Sequence, residues 1–228
     1  MSLPAASLLH LLQLASPSLP VGAYSYSQGL EAAIENGLVK NEASAREWIV
    51  DMLHEVVSRF EAPLLWRLLH AAAERDLATF TYWSEYFIAS RDSAEFRAET
   101  IQMGYSLGKL IGDLKICDPS LQTLLESQTE IPFPTALAVA SVALDVPAEA
   151  ALLGMLFSWA ENQVLACVKS VPLGQVAGQR LLLSLRPELE AAATTAQQLE
   201  DDELSNWCPG LTLHSMQHEV QFSRLYRS

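Results

Sequence analysis

Residues 44–60 read SAREWIVDMLHEVVSRF, and their spacing decides the fold class. Trp48, Met52, Val56 and Phe60 recur every fourth residue, with Ile49 and Leu53 beside them. Apolar side chains at that spacing line one stripe of a helix. Ser44 followed by Glu47 has the spacing of a capping box and predicts the helix start. Pro63 lies just beyond. Its ring removes an N–H and crowds the carbonyl four residues back, so an interruption or restart is expected there. Leu64, Leu65, Leu68 and Leu69 continue the theme.

Helical spacing recurs in both directions from this stretch, and no convincing strand alternation appears. Downstream, Phe80, Trp83 and Phe87 form an aromatic stripe, with Tyr82 and Tyr86 on an adjacent face. It reads as core and is assigned no ligand. Asp92 and Glu95 open the next long helix, whose first turn carries Arg91, Glu95, Arg97 and Glu99. Pairs of such charges at i,i+4 add only about 0.2–0.5 kcal/mol each. Gly104, Gly108 and Gly112 then fall on one face, each costing about 0.8–1.0 kcal/mol against alanine. That cost points to a close-approaching helix backbone, either in the same chain or across a dimer contact.

Asp118 and Pro119 mark another start, and residues 131–134 (IPFP) a rigid connection. Residues 136–144 and 148–168 read as a buried hairpin joined around Asp145 and Pro147. Glu161, Asn162 and Gln163 are consecutive in it, so at least one points inward and needs partners. Pro172 ends that helix and starts another. Gln175 and Gln179 lie one turn apart there beside Gly174 and Gly178, a poor core and a reasonable docking surface. Lys169 precedes them, in a chain short of basic groups. Residues 188–199 form an ordinary helix, 200–203 an acidic break and 207–210 a turn.

Upstream, residues 5–15 form a first helix with Leu8, Leu11, Leu12 and Ala15 at spacings of three and four. Residues 16–31, SPSLPVGAYSYSQGLE, then interrupt the helical pattern with Pro17, Pro20 and Gly22. This loop carries Leu19, Val21, Tyr24 and Tyr26, so it is expected to pack against something. Ser25 and Gln28 have capping-box spacing before Leu30, Ile34 and Leu38, and Gly37 is placed to end that helix. The last stretch, HSMQHEVQFSRLYRS (214–228), is too apolar for a fading tail and should dock on its own domain or on a partner.

The chain has 228 residues, enough for one sizeable core or two small ones. Half of them are hydrophobic and only 18% charged, a balance that suggests buried interface. The net charge of −13 and the lack of any basic run argue against nucleic acid. Three widely spaced cysteines fit free thiols in a reducing compartment. Residues 8–14 lack the basic flank of a signal peptide, and residues 148–168 read as a buried helix rather than a membrane span. A cytoplasmic protein is expected.

Nucleophile elbows, Walker loops and dinucleotide fingerprints are missing from the sequence. The metal candidates are weak: His214 and His218 at i,i+4, which a helix would place on one face, with Cys208 upstream and Glu219 adjacent. An enzyme would need a buried acid such as Glu161 or Glu31 at a pocket. From the residues alone the chain is an all-α, single-domain helical bundle of about ten helices with two docking segments.

Four blocks in order resemble the urease accessory protein UreF family: LASPSLPVGAYSYSQGLE, SRDSAEFRAETIQMGYSLGKL, VKSVPLGQVAGQ and MQHEVQFSRLYRS. Block 136–144 lacks some glycines that the family would have there. The resemblance implies an all-helical homodimer without catalytic residues, covering residues 1–228 as one domain. It would bind UreD (also called UreH), recruit the GTPase UreG, and help that complex deliver nickel to apo-urease. The segments 1–24 and 204–228 are then the partner-contacting ones. By resemblance, Pro20, Gly22, Tyr24, Ser25, Ser27, His218, Glu219, Arg224, Tyr226 and Arg227 face UreD. Lys169, Pro172, Gly174, Gln175 and Gln179 face UreG, and Gly104, Gly108 and Gly112 are dimer candidates. No firmly bound cofactor is implied, nickel being handled by the complex. The alternative is a nickel-binding metallochaperone using the C-terminal histidines.

Overall fold

In the computed structural model, which describes residues 3–227, the chain is all-α, with twelve α-helical segments and no strand among the described residues. They are α1 (Ala5–Leu14), α2 (Leu30–Glu35), α3 (Glu42–Met52), α4 (Ala62–Glu74), α5 (Leu77–Ala89), α6 (Ala94–Leu114), α7 (Pro119–Glu126), α8 (Phe133–Ala143), α9 (Ala148–Ser170), α10 (Gln175–Ser184), α11 (Arg186–Gln198) and α12 (Pro209–Glu219). The buried apolar residues form one continuous cluster from Leu19 to Tyr226. α8 is its most enclosed element, held between α4 and α6 with every residue from Pro134 to Ser141 buried. α9 is long and apolar enough to cross a membrane by length and composition, and here it packs against α1, α2, α3, α4, α8, α10 and α11.

The helical stripe at 44–60 is present, but its ends differ from the sequence expectation. Asn41, not Ser44, is the cap: its side chain accepts from the Ser44 N–H at 3.0 Å, and Ser44 Oγ accepts from the Asn41 N–H at 3.2 Å. Asn41 has the extended backbone that a cap requires, which spacing alone does not reveal. Pro63 marks a restart without a break in the rod, standing in the first turn of α4. Residues Leu53–Glu61 widen into a π-helical stretch that runs straight into α4. The carbonyl that Pro63 leaves unpaired belongs to Arg59, four residues back, and it accepts the Ser205 N–H at 3.1 Å. A distant segment thus repairs the gap the proline makes.

Other starts move by a residue or two for the same reason. Ser93 rather than Asp92 caps α6, accepting from the Phe96 N–H at 3.1 Å. The capping box expected at Ser25 and Gln28 does not form, because Ala23–Ser25 is a 3-10 turn and Gln28 takes φ +55°. Gly29, at φ +78°, precedes α2, and Ser27 Oγ accepts from the Glu31 N–H instead. At the other end Gly37 closes α2 as expected: its N–H bonds to Ile34 and that of Leu38 to Ala33, the double bond of a Schellman end. Asp118 caps α7, and Ser120, Leu121 and Arg75 together hold its carboxyl below the usual carboxylate range.

The aromatic stripe on α5 is core, with Phe80, Trp83 and Phe87 buried. The charged first turn of α6 is not a set of local pairs. Arg91 pairs with Glu61 and lies between the Phe60 and Phe87 rings, 4.7 and 4.3 Å from their centroids. Arg97 reaches Glu130, and Glu95 and Glu99 turn toward α12 and the opening loop. Gly104 serves an approach within the chain: a Cβ there would sit 1.9 Å from the Ile131 carbonyl oxygen. Gly108 has only ordinary contact with Ile131, and Gly112 faces open space.

Candidate protein-docking site

The opening loop is held from beneath by the polar run in α9. Gln163 is buried, as one member of that run had to be, and its amide N–H donates to the Ser27 carbonyl at 3.3 Å. Asn162 donates to the Tyr26 carbonyl at 2.8 Å. Gln28 completes the seam, accepting from Trp159 Nε1 at 2.7 Å and donating to Glu99 at 2.7 Å. Loop carbonyls that would otherwise be buried and unpaired are therefore satisfied by side chains. Leu19, Val21 and Tyr26 fill the apolar side of the same contact, while Pro20 and Tyr24 stay exposed.

Beside the loop lies a mainly apolar cavity of about 140 Å³, walled by α1, α6, α8 and α9. Glu161 lines it, and burial pushes its carboxyl above the usual range. The outer face of α1 is open: Leu8, Leu9 and Leu12 are exposed, whereas Leu11 packs over Gly154 of α9. The stripe expected to bury α1 is thus only partly used within the chain.

The terminal segment docks on the same end of the bundle. Tyr226 is buried, and the Arg227 N–H donates to the Ser25 carbonyl at 2.7 Å. Burial raises the Tyr26 phenol, and a hydrogen bond with Arg227 opposes that rise. Lys169 Nζ lies 5.7 Å from the centroid of the Tyr226 ring, within cation–π range. Lys169 therefore joins the terminal segment to the Pro172–Gln179 block. Within that block Pro172, Gly174, Gln175 and Gln179 are exposed, with Val176 at 77%. Gly178 is different: it lets α10 press onto Val168 of α9.

The residues assigned by resemblance to the UreD face divide in two. Pro20, Tyr24, Glu219, Arg224 and Arg227 are exposed, and Gly22 and Ser25 are half-buried. Ser27, His218 and Tyr226 are buried and hold the fold. Ser228 lies outside the described residues. Five large apolar side chains of the C-terminal stretch are exposed: Val220, Phe222 and Leu225 belong to the segment that the sequence marks as too apolar for a tail, whereas Trp207 and Leu213 are not marked by it. Their signal was an apolar residue in a polar context with no periodic partner.

The histidines do not share one accessible face. His218 has no exposed surface and both ring nitrogens meet carboxylates, of Glu31 and Glu95. His214 lies edge-on to Trp48, and burial lowers its pKa. Cys208 is the residue that precedes α12. Among the described residues no three His, Cys, Asp or Glu side chains form a group that could hold a metal ion.

Comparison with known proteins bears on this end of the molecule and on the rest. The UreF family model matches residues 39–186. A urease accessory protein UreF from Janthinobacterium sp. (strain Marseille) is 75% identical over 224 residues, covering 98% of this chain and 99% of its own. Its counterpart from Nitrosospira multiformis is 65% identical, covering 97% and 98%. That from Azoarcus sp. is 51% identical, covering 97% and 95%.

Proposed function

This chain belongs to the UreF family of urease accessory proteins, and on that premise we propose that it is an adaptor in urease maturation. It joins UreD to the GTPase UreG in a cytoplasmic complex that inserts nickel into apo-urease, and it has no catalytic residue of its own. It works as a homodimer, with Gly112, which faces open space on α6, and the half-buried Gly108 one turn before it as candidate contacts. Gly104 is committed to Ile131 within the chain.

The observation that carries this reading is the number of large apolar side chains left exposed on α1 and on the C-terminal stretch. Trp207, Val220, Phe222 and Leu225 are exposed in the C-terminal stretch, and Leu8, Leu9 and Leu12 are exposed on the outer face of α1. Apolar area of that kind is what a protein partner covers. The polar, glycine-containing block 172–179 lies beyond Lys169 and offers a second, different surface, suited to a partner that binds and leaves. Nickel is cargo of the assembly in this reading. The metallochaperone alternative draws no support from His218, whose two nitrogens are already engaged inside the fold.

The test uses the exposed block. Lys169→Ala with Gln179→Ala should leave UreD co-purification intact, weaken UreG capture, and lower urease activation in cells lacking the native gene. Normal activation together with normal UreG capture would refute the assignment of that block.

A further inference from the structure

Arg91 is a buried cation with part of its hydrogen-bonding edge unused. Its side chain is only 7% exposed, and Nη1 is spent on Glu61 at 2.9 Å. Nε and Nη2 are buried too, and neither has a hydrogen-bond partner among the described residues. Those two nitrogens form the edge of a guanidinium that meets a carboxylate bidentately. The faces of the group lie against the Phe60 and Phe87 rings, 4.7 and 4.3 Å from their centroids. Buried donors without acceptors are costly and uncommon, so the free edge calls for one.

Arg91 lines two cavities at once. One is the cavity of about 140 Å³ beside the opening loop, and the other is a smaller one of about 30 Å³ bordered by residues of α12. Among the residues that line them it is the only basic one. The acids there are occupied or weakened as charges. Glu61 pairs with Arg91, Glu99 accepts from Gln28, Asp92 accepts from Thr212, and burial pushes Glu161 toward its neutral form. The wall of the larger cavity includes Leu11, Leu19, Met103, Phe133, Leu137 and Met155. We propose that this cavity binds an apolar monocarboxylate, with its carboxylate on the Nε–Nη2 edge of Arg91 and its hydrocarbon body along the apolar wall. A small shift of the guanidinium between its two rings brings that edge to the head group. The guanidinium then stands between the ligand and Glu61, so each carboxylate is nearer to the positive charge than to the other. With no second basic group in the wall, a dicarboxylate or a phosphate dianion finds no further partner. The site does not depend on the adaptor reading.

Calorimetric titration of the full-length protein with octanoate, octanol and octylammonium tests this without any substitution. Octanoate should bind saturably, one to one, and about tenfold or more tighter than octanol, with octylammonium the weakest. From butanoate to octanoate, affinity should rise about fourfold for each methylene added. Arg91→Lys keeps the charge but loses the fork, and should cut octanoate affinity about tenfold while leaving that for octanol unchanged. Ala151→Leu, which adds bulk to the cavity wall from α9, should weaken octanoate and octanol alike. Equal affinity for octanoate and octanol, or undiminished octanoate affinity in folded Arg91→Lys protein, would overturn the role of the fork. Tighter binding of octylammonium would put the head group on an acid and overturn the ligand class. Failure of octanoate to bind at millimolar concentration, or unchanged binding in folded Ala151→Leu protein, would overturn the site. If either variant fails to fold, the three-ligand comparison on the wild-type chain still decides.

Discussion

Gln28 sits at a backbone φ of +55°, in a region few residues other than glycine adopt readily, and its side chain is what makes the conformation worthwhile. Turned inward, it accepts from the Trp159 indole and donates to Glu99. Replacing it with alanine leaves the indole N–H without its acceptor in a half-buried seam. The cost of such an orphaned group is about 1–3 kcal/mol, so Gln28→Ala should lower the urea midpoint of unfolding while leaving its slope unchanged. A midpoint equal to that of wild type would show that the seam does not hold the loop. The spacing of Ser25 and Gln28 suggested a cap here, and the suggestion misled for a physical reason. Ser, Thr, Asn and Asp side chains can each cap a helix, but only one whose backbone is extended at the entry does so. That dihedral is set by what lies across the bundle. The same applies at Asn41 and Ser93, where a polar neighbour of the expected cap takes the position.

At the scale of elements, the sequence is a good guide wherever apolar period and punctuation agree. The α5 stripe, the Gly37 end of α2, the Asp118 start of α7 and the α8–α9 hairpin all stand where spacing puts them. Pro63 is the instructive exception. A proline normally ends a helix, but a π-helical stretch and an N–H from the distant Ser205 together absorb it. Glycine cost was also legible on α6, although the partner was not. Gly104→Ala would drive a Cβ into the Ile131 backbone and should destabilise by about 1–3 kcal/mol, the usual penalty of overpacking. Gly112→Ala meets nothing within the chain, so helix propensity should stabilise the isolated protomer by up to about 1 kcal/mol. If Gly112 lies in the dimer contact, the same change should weaken self-association in sedimentation experiments as it raises thermal stability. A Gly104→Ala protein as stable as wild type would contradict the close approach to Ile131.

The whole molecule is a helical core with its proposed interaction surfaces gathered on segments that the core pins in place. Amides of α9 pin the opening loop, a buried carboxylate pins the terminal segment, and Lys169 lies over the Tyr226 ring beside the exposed 172–179 block. The sequence revealed these segments as misfits in a helical chain, and family resemblance gave them partners. It could not show which of their residues face inward, because burial of Ser27, His218 and Tyr226 depends on side chains more than a hundred residues distant, as between Glu31 and Tyr226. The central claim is that one chain bridges two partners through separate surfaces. Light scattering on purified components tests it most directly. The account predicts that UreD and UreG, mixed with GTP, form a complex containing both only when this chain is added. It further predicts that removing residues 221–228 abolishes UreD incorporation. A UreD–UreG complex of the same mass without this chain, or one unaffected by the truncation, would contradict it.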